Sequence, residues 1–147
     1  MNILITAAVT AQAYQLKRIL EQSDTVFLGD SVDLPNLGGD TRFVKIPISD
    51  SFSFAHLLLT LCLDLQIEKV YPLRKNELIA LAEARQLFDE YGIIVMVPDK
   101  NFFNPLLHKG IKGTILIQEG IATNGMPDRG VLLVNEETKQ IKLFTAD

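Results

Sequence analysis

The stretch MNILITAAVTAQAYQLKRIL, residues 1–20, decides how the rest of the chain is read. Ile3, Leu4 and Ile5 form an uninterrupted apolar run, Thr6, Ala7, Ala8 and Val9 make a turn of mostly small residues, and a helix pattern follows. A strand with no polar alternation is one buried on both faces, and a helix directly behind it is the crossover that lets the next strand run parallel. Further short apolar runs at residues 26–28, 43–48, 70–73 and 93–97 read as strands, and residues 10–22, 52–65 and 76–91 read as helices. The order β-α-β-β-α-β-α-β predicts an α/β, Rossmann-like open parallel sheet with helices on both faces.

The helix boundaries carry their own signals. Thr10 or a neighbouring hydroxyl is placed to cap the first helix, and Asn76 with Glu77 behind it suits the start of the third. Gly92 sits where that helix should end in a left-handed residue. In the second helix Ser53, His56, Thr60 and Asp64 form one narrow polar stripe, while nearly every other position is apolar. A helix on one face of a sheet needs an apolar stripe of only about a third of its circumference. The excess predicts a homodimer through residues 52–65.

After Asp99 the pattern changes. Residues 101–109 suit a short helix or turn interrupted by Pro105, Gly110 and Gly113 break the chain, and residues 114–118, 131–135 and 141–144 read as strands. The last two flank NEETKQ as a β-hairpin, and residues 119–130, EGIATNGMPDRG, read as an exposed loop. The expected organisation is an α/β domain over residues 1–100 and a C-terminal extension with a β-hairpin over residues 101–147, packed on the same domain.

Composition narrows the function classes. The 147 residues carry 14 basic and 18 acidic side chains, a net charge of -4, and no basic block, which disfavours nucleic acid as a partner. With 48% hydrophobic residues the chain can bury a core without staples, and its single cysteine, Cys62, cannot form an internal disulfide. Strand residues begin directly after Met1 and no run approaches the roughly 20 apolar residues of a membrane span. A reducing, cytoplasmic location is expected, with no membrane contact. His56 and His108 lie 52 residues apart without ligand-spaced neighbours, so no metal is expected.

Two clusters are candidates for a site. In a dinucleotide fingerprint, glycines let the backbone approach a pyrophosphate at the helix N-terminus. Here the turn is Thr6, Ala7, Ala8, Val9, Thr10, without glycine, and β-branched Val9 stands where a phosphate would pass. Asp30 follows 22 residues after Ala8, a position suited to a ribose contact or, more simply, to a turn beside Gly29 and Ser31. The other cluster is PLRKNE, residues 72–77, after the fourth strand. Ligands of open parallel sheets bind at the C-terminal strand ends near the reversal of strand order. There Leu73, Arg74, Lys75, Asn76 and Glu77 present two cations and a helix start to a small anionic metabolite, or form a capped, solvated loop.

MNILIT with a helix ending in LKRIL, then VFLGDS, GGDTRFVKIPISD and DLQIEKVYPLRKNELIALAEARQLFDEYGIIVMVPD together resemble the N-terminal pre-ATP-grasp domain of ATP-grasp ligases, the group that includes carbamoyl phosphate synthase-like proteins. The likeness covers residues 1–100 and is most specific over residues 67–98; the first loop departs from the family's glycine-containing form. It implies a Rossmann-like sheet that packs against ATP-grasp lobes and contributes substrate contacts from the ends of its first and fourth strands. Those positions are Thr6, Ala7, Ala8 and Val9, and Leu73, Arg74, Lys75, Asn76 and Glu77.

In that family ATP and Mg²⁺ are held by two further α+β lobes, which the 37 residues after Gly110 are too few to build. The resemblance therefore implies a noncatalytic small-ligand-binding or accessory protein without a cofactor of its own. The alternative is the substrate-side subunit of a split ligase with a separate ATP-grasp chain. A stand-alone nucleotide-binding oxidoreductase is disfavoured by the glycine-free turn.

Overall fold

A computed structural model describes residues 1–34, 42–107, 112–121 and 125–147. His108, Gly110 and the GGD motif at residues 38–40 lie outside the described residues, as do residues 122–124 of the loop expected after Gln118. The chain divides into two compact units: Met1–Val95 together with Thr145–Asp147, and Met96–Phe144.

The first unit is built on five parallel strands: β1 (Asn2–Ile5), β2 (Thr25–Asp30), β3 (Arg42–Lys45), β4 (Ile67–Tyr71) and β5 (Ile94–Val95), in the order β3-β2-β1-β4-β5. This is the expected Rossmann-like sheet. Ile3, Leu4 and Ile5 of the central strand are all fully buried, which is why the opening run shows no alternation. The outer strand β3 instead carries exposed Arg42 and Lys45 at its ends, charges that discourage pairing with another edge.

Helices follow the strands. Helix α1 (Ala11–Leu20) starts at Thr10, whose hydroxyl oxygen accepts from Ala13 N–H at 3.3 Å and donates to the Ala7 carbonyl at 2.7 Å. It buries Ala13, Leu16 and Leu20, and its last turn carries Lys17 and Arg18 at the negative end of the helix dipole. Right-handed crossovers place α1 on one face of the sheet and α2 (Phe54–Asp64), α3 (Lys75–Glu83) and α4 (Arg85–Glu90) on the other.

The continuous third helix expected over residues 76–91 is two helices. At Ala84 (φ -99°, ψ 7°) the N–H donates to Leu81 rather than one residue further back, and this tightened turn breaks the helix. Its start also lies earlier than expected, with Arg74 as the capping position and Asn76 inside the first turn. Gly92 adopts φ 75° just past the end of α4, as its position predicted.

Helix α2 buries Phe54, Leu58, Leu59 and Cys62 and exposes the polar stripe Ser53, His56, Thr60 and Asp64. Leu57 and Leu63 are about half exposed, at 52% and 44%, and Phe52 just before the helix is fully exposed. Burial pushes the Cys62 thiol up to about 12, which keeps it protonated and unreactive.

The second unit contains a 3₁₀ turn (Lys100–Phe102), α5 (Phe103–Leu106) and an antiparallel sheet of three strands, β6 (Thr114–Glu119), β7 (Arg129–Asn135) and β8 (Gln140–Leu143). The expected hairpin is β7-β8, and the strand expected over residues 114–118 is β6, which pairs antiparallel with the other side of β7. Asn135 closes the hairpin by accepting the N–H groups of Glu137 and Thr138 at 3.0 and 3.1 Å, and Lys139 turns the chain at φ 57°. At Gly113 a β-carbon would run into the Val134 carbonyl, so only glycine fits the start of β6.

Among the described residues no helix is long and apolar enough to cross a membrane.

Candidate functional site

The order β3-β2-β1-β4-β5 reverses between β1 and β4, and the crevice at their C-terminal ends is where this topology places ligands. The structure brings Thr6, Ala7, Ala8, Val9, Thr10, Asp30, Leu73, Arg74, Lys75, Asn76 and Glu77 to that edge, from the ends of β1, β2 and β4 and the first turn of α3.

The turn after β1 solves its missing glycine by placing Ala7 in the left-handed region at φ 56°, a conformation that normally favours glycine. The chain is then fixed on both sides: Thr6 N–H donates to the Tyr71 carbonyl at 3.1 Å and Ala8 N–H to the Gly29 carbonyl at 3.1 Å. The Val9 side chain is 57% exposed, while its N–H points inward to the Asp30 carboxylate at 3.3 Å.

Asp30, 1% exposed, is the hub of the first half of the site. Besides Val9 it accepts the Ser31 N–H at 2.8 Å and an ion pair from the Arg74 guanidinium at 2.9 Å. Asp30 takes the backbone N–H of the residue that follows it, as a turn residue does, and in addition pairs with Arg74 from the start of α3. Asp30 neutralises the arginine across the switch point and occupies a backbone N–H that a phosphate would need.

Glu77 is the hub of the second half. Its carboxylate, 3% exposed, accepts the Thr6 hydroxyl at 2.6 Å and the Arg74 N–H at 3.3 Å, and the same Thr6 oxygen accepts the Leu73 N–H at 2.8 Å. Thr6 thereby joins β1, the exit of β4 and the first turn of α3. All buried side-chain polar atoms among the described residues have a partner.

Burial raises the Glu77 pKa, against the lowering effects of the Thr6 hydroxyl, the Arg74 N–H and the Arg74 charge. Because the folded protein holds this proton to higher pH than the unfolded chain does, the stability Glu77 contributes is complete below the ordinary glutamate range and is lost as pH rises through the raised value. Glu77→Gln keeps an acceptor for Thr6 without the charge. Urea unfolding of both forms at pH 5 and pH 7.5 should show the variant gaining on wild type at the higher pH; an equal gap at both would remove the effect.

Lys75 and Asn76 lie at the outer lip of the crevice, Lys75 half-buried and Asn76 exposed. No ion pair joins the Lys75 ammonium to an acidic group among the described residues. Its N–H is taken by the Asp147 side chain at 2.9 Å, and Ala146 N–H donates to the Leu73 carbonyl at 2.6 Å. Sequence reading missed this return of residues 145–147 to the crevice, because nothing in THR-ALA-ASP at positions 145–147 distinguishes it from an exposed tail. It also missed a cleft of about 460 Å³ at the opposite end of the sheet, lined by Met1, Asn2, Cys62, Gln66, Tyr91 and Ile93 among others. No group of three or more metal-ligating side chains occurs among the described residues.

Comparison with protein-family models finds no match, and comparison with curated proteins finds none. Among solved structures, the chain is similar to a mutated uronate dehydrogenase at 18% identity, covering 63% of this chain and 36% of that one with a TM-score of 0.44. It is also similar to an L-threonine dehydrogenase from Clostridium difficile at 13% identity, covering 83% of this chain and 42% of that one with a TM-score of 0.49. The chain spans less than half the length of either structure. Identities this low speak to fold alone, and the Rossmann-like assignment rests on the strand order itself.

Proposed function

We propose that this protein is a noncatalytic accessory or small-ligand-binding protein, a Rossmann-like platform that accepts a small anionic metabolite at the outer lip of its strand-end crevice. One observation carries the reading: a single carboxylate of the crevice, Asp30, already takes the guanidinium and the backbone N–H that could meet a nucleotide phosphate. Arg74 is held by Asp30, and the Val9 N–H is held by the same side chain. Lys75, half-buried, is the cation of this cluster without an ion pair among the described residues, so the available charge suits one small anionic group better than a pyrophosphate.

Thermal shift with a panel of phosphorylated metabolites, amino acids, nucleotides and nicotinamide dinucleotides tests the proposal. A small anion at a hundred times its dissociation constant stabilises the fold by about 2.7 kcal/mol and raises the melting temperature by several degrees. Lys75→Ala should abolish that shift. Selective stabilisation by a nicotinamide dinucleotide would favour the oxidoreductase reading instead.

The second reading, a substrate-side subunit of a split ATP-grasp ligase, draws on the resemblance of residues 1–100 and predicts co-purification with a chain that carries ATP-grasp lobes. In both readings the outward apolar residues Leu57 and Leu63 support a homodimer through α2. Light scattering of the same samples at micromolar concentration checks it, and a monomeric mass ends it.

A further inference from the structure

We infer that β6 is an interface strand, whose outer edge pairs antiparallel with β6 of a second copy of this chain about a two-fold axis at Leu116. The inference is independent of the crevice and concerns a different surface from α2.

A strand at the rim of a sheet presents unpaired N–H and C=O groups, and a chain that keeps such an edge single protects it with charge, shortness or a covering element. The other edge strands each carry one such device. Strand β3 ends in exposed Arg42 and Lys45, β5 spans only two residues, and β8 carries Lys142 and lies against α5. Strand β6 has none of these among the described residues. Its six residues, TILIQE, contain no lysine, arginine, proline or glycine, its ladder with β7 runs without a register shift from Thr114 to Glu119, and Leu116 is 38% exposed.

The neighbouring ladder fixes which backbone groups face outward. Phe144 N–H donates to the Val131 carbonyl at 2.9 Å, so Val131 turns its main chain toward β8 while Gly130 and Leu132 turn theirs toward β6. Their partners Gln118 and Leu116 are therefore bonded to β7, and the alternate residues Ile115 and Ile117 direct N–H and C=O away from it. Among the described residues no backbone hydrogen bond outside the sheet ladders involves either isoleucine.

These outward groups are self-complementary. With the axis at Leu116, Ile115 of one copy and Ile117 of the second exchange both of their hydrogen bonds, and the same pair repeats on the far side of the axis. Side chain by side chain, Ile115 meets Ile117, Thr114 meets Gln118 and Leu116 meets its own counterpart, so apolar and polar groups match and no like charges are opposed. An axis one residue along, at Ile117, sets Ile115 against Glu119 and Leu116 against Gln118. This self-match is what selects a second copy over an unrelated strand. The product is an isologous dimer in which two three-stranded sheets become one.

The test is sedimentation velocity on the full chain at micromolar concentration, comparing wild type, Leu116→Lys, Leu116→Glu and an equimolar mixture of the two variants. Both substitutions fall on an exposed side chain whose main chain stays bonded to β7, so the sheet is kept. Each variant alone sets like charges face to face at the axis and should weaken association about a hundredfold or more. In the mixture lysine faces glutamate, and the wild-type mass should return, which also shows that both variants are folded. Leu57→Lys on α2 should leave this dimer intact; where α2 also joins copies, wild type is larger than a dimer and the Leu116 variants reduce it without abolishing the α2 contact. A monomeric wild type, either Leu116 variant alone at the wild-type mass, or a mixture that stays dissociated overturns the pairing at Leu116.

Discussion

Arg74→Ala should destabilise the fold by about 2–4 kcal/mol in urea denaturation at pH 7, the largest effect expected from any charged residue of the chain. The reason lies in what is left behind. Asp30 is 1% exposed and receives the guanidinium at 2.9 Å; without it, a carboxylate shielded from water keeps only the Val9 and Ser31 N–H groups as partners. Those two bonds are why the loss falls toward the lower end of the range for a broken buried pair. Arg74 itself is 30% exposed, so in Asp30→Ala the guanidinium can turn toward solvent, and that variant should lose about half as much. The double variant should be more stable than the sum of the single losses implies, because the second substitution removes the stranded charge. If Arg74→Ala unfolds within about 0.5 kcal/mol of wild type, the pair behaves as an exposed ion pair and does not tie the end of β2 to the start of α3.

Thr6→Val should cost about 2–4 kcal/mol although valine has nearly the same shape. The hydroxyl does two jobs at once: it donates to Glu77 at 2.6 Å and accepts the Leu73 N–H at 2.8 Å, all inside the protein. Valine leaves a buried amide without an acceptor and a buried carboxylate with one donor fewer, and each unmet group costs about 1–3 kcal/mol. Thr6→Ser retains the oxygen and should recover most of the loss, the remainder reflecting one missing methyl. Because less of the Glu77 charge is compensated, Thr6→Val should also steepen the decline in stability between pH 5 and pH 7.5. A variant as stable as wild type with an unchanged pH profile would show that Thr6 does not join β1 to α3.

Much of the sheet was legible in the residues. The runs around Ile3–Ile5 and Val70 lack alternation because both faces of those strands are buried, and that property is written directly into hydrophobicity. The polar stripe of α2 and the glycine after α4 were readable for the same kind of reason: each is a local rule about which residue tolerates solvent or a left-handed φ. The break at Ala84 was not readable, because alanine is the best helix former and only the hydrogen bond to Leu81 reveals the turn. Nor was the seat at Ala7, where tertiary hydrogen bonds on either side impose a backbone conformation that local preference opposes.

The candidate site divides along the same line. Every residue suspected from the turn after β1 and from PLRKNE arrives at one sheet edge, since strand order alone brings the ends of β1 and β4 together. What those residues do was decided elsewhere. Arg74 reads as an anion-binding cation in sequence, yet it is paired with Asp30 from a strand 44 residues earlier, and the backbone N–H of Lys75, not its ammonium, is taken by a carboxylate 72 residues later. By itself the sequence determined an α/β chain with continuous buried strands and a polar cluster at their ends, because burial and helix periodicity are sums of local choices. Only the tertiary structure decided which charges in that cluster are already matched, because an ion pair depends on a distance of a few ångströms between residues whose separation along the chain carries no information about it.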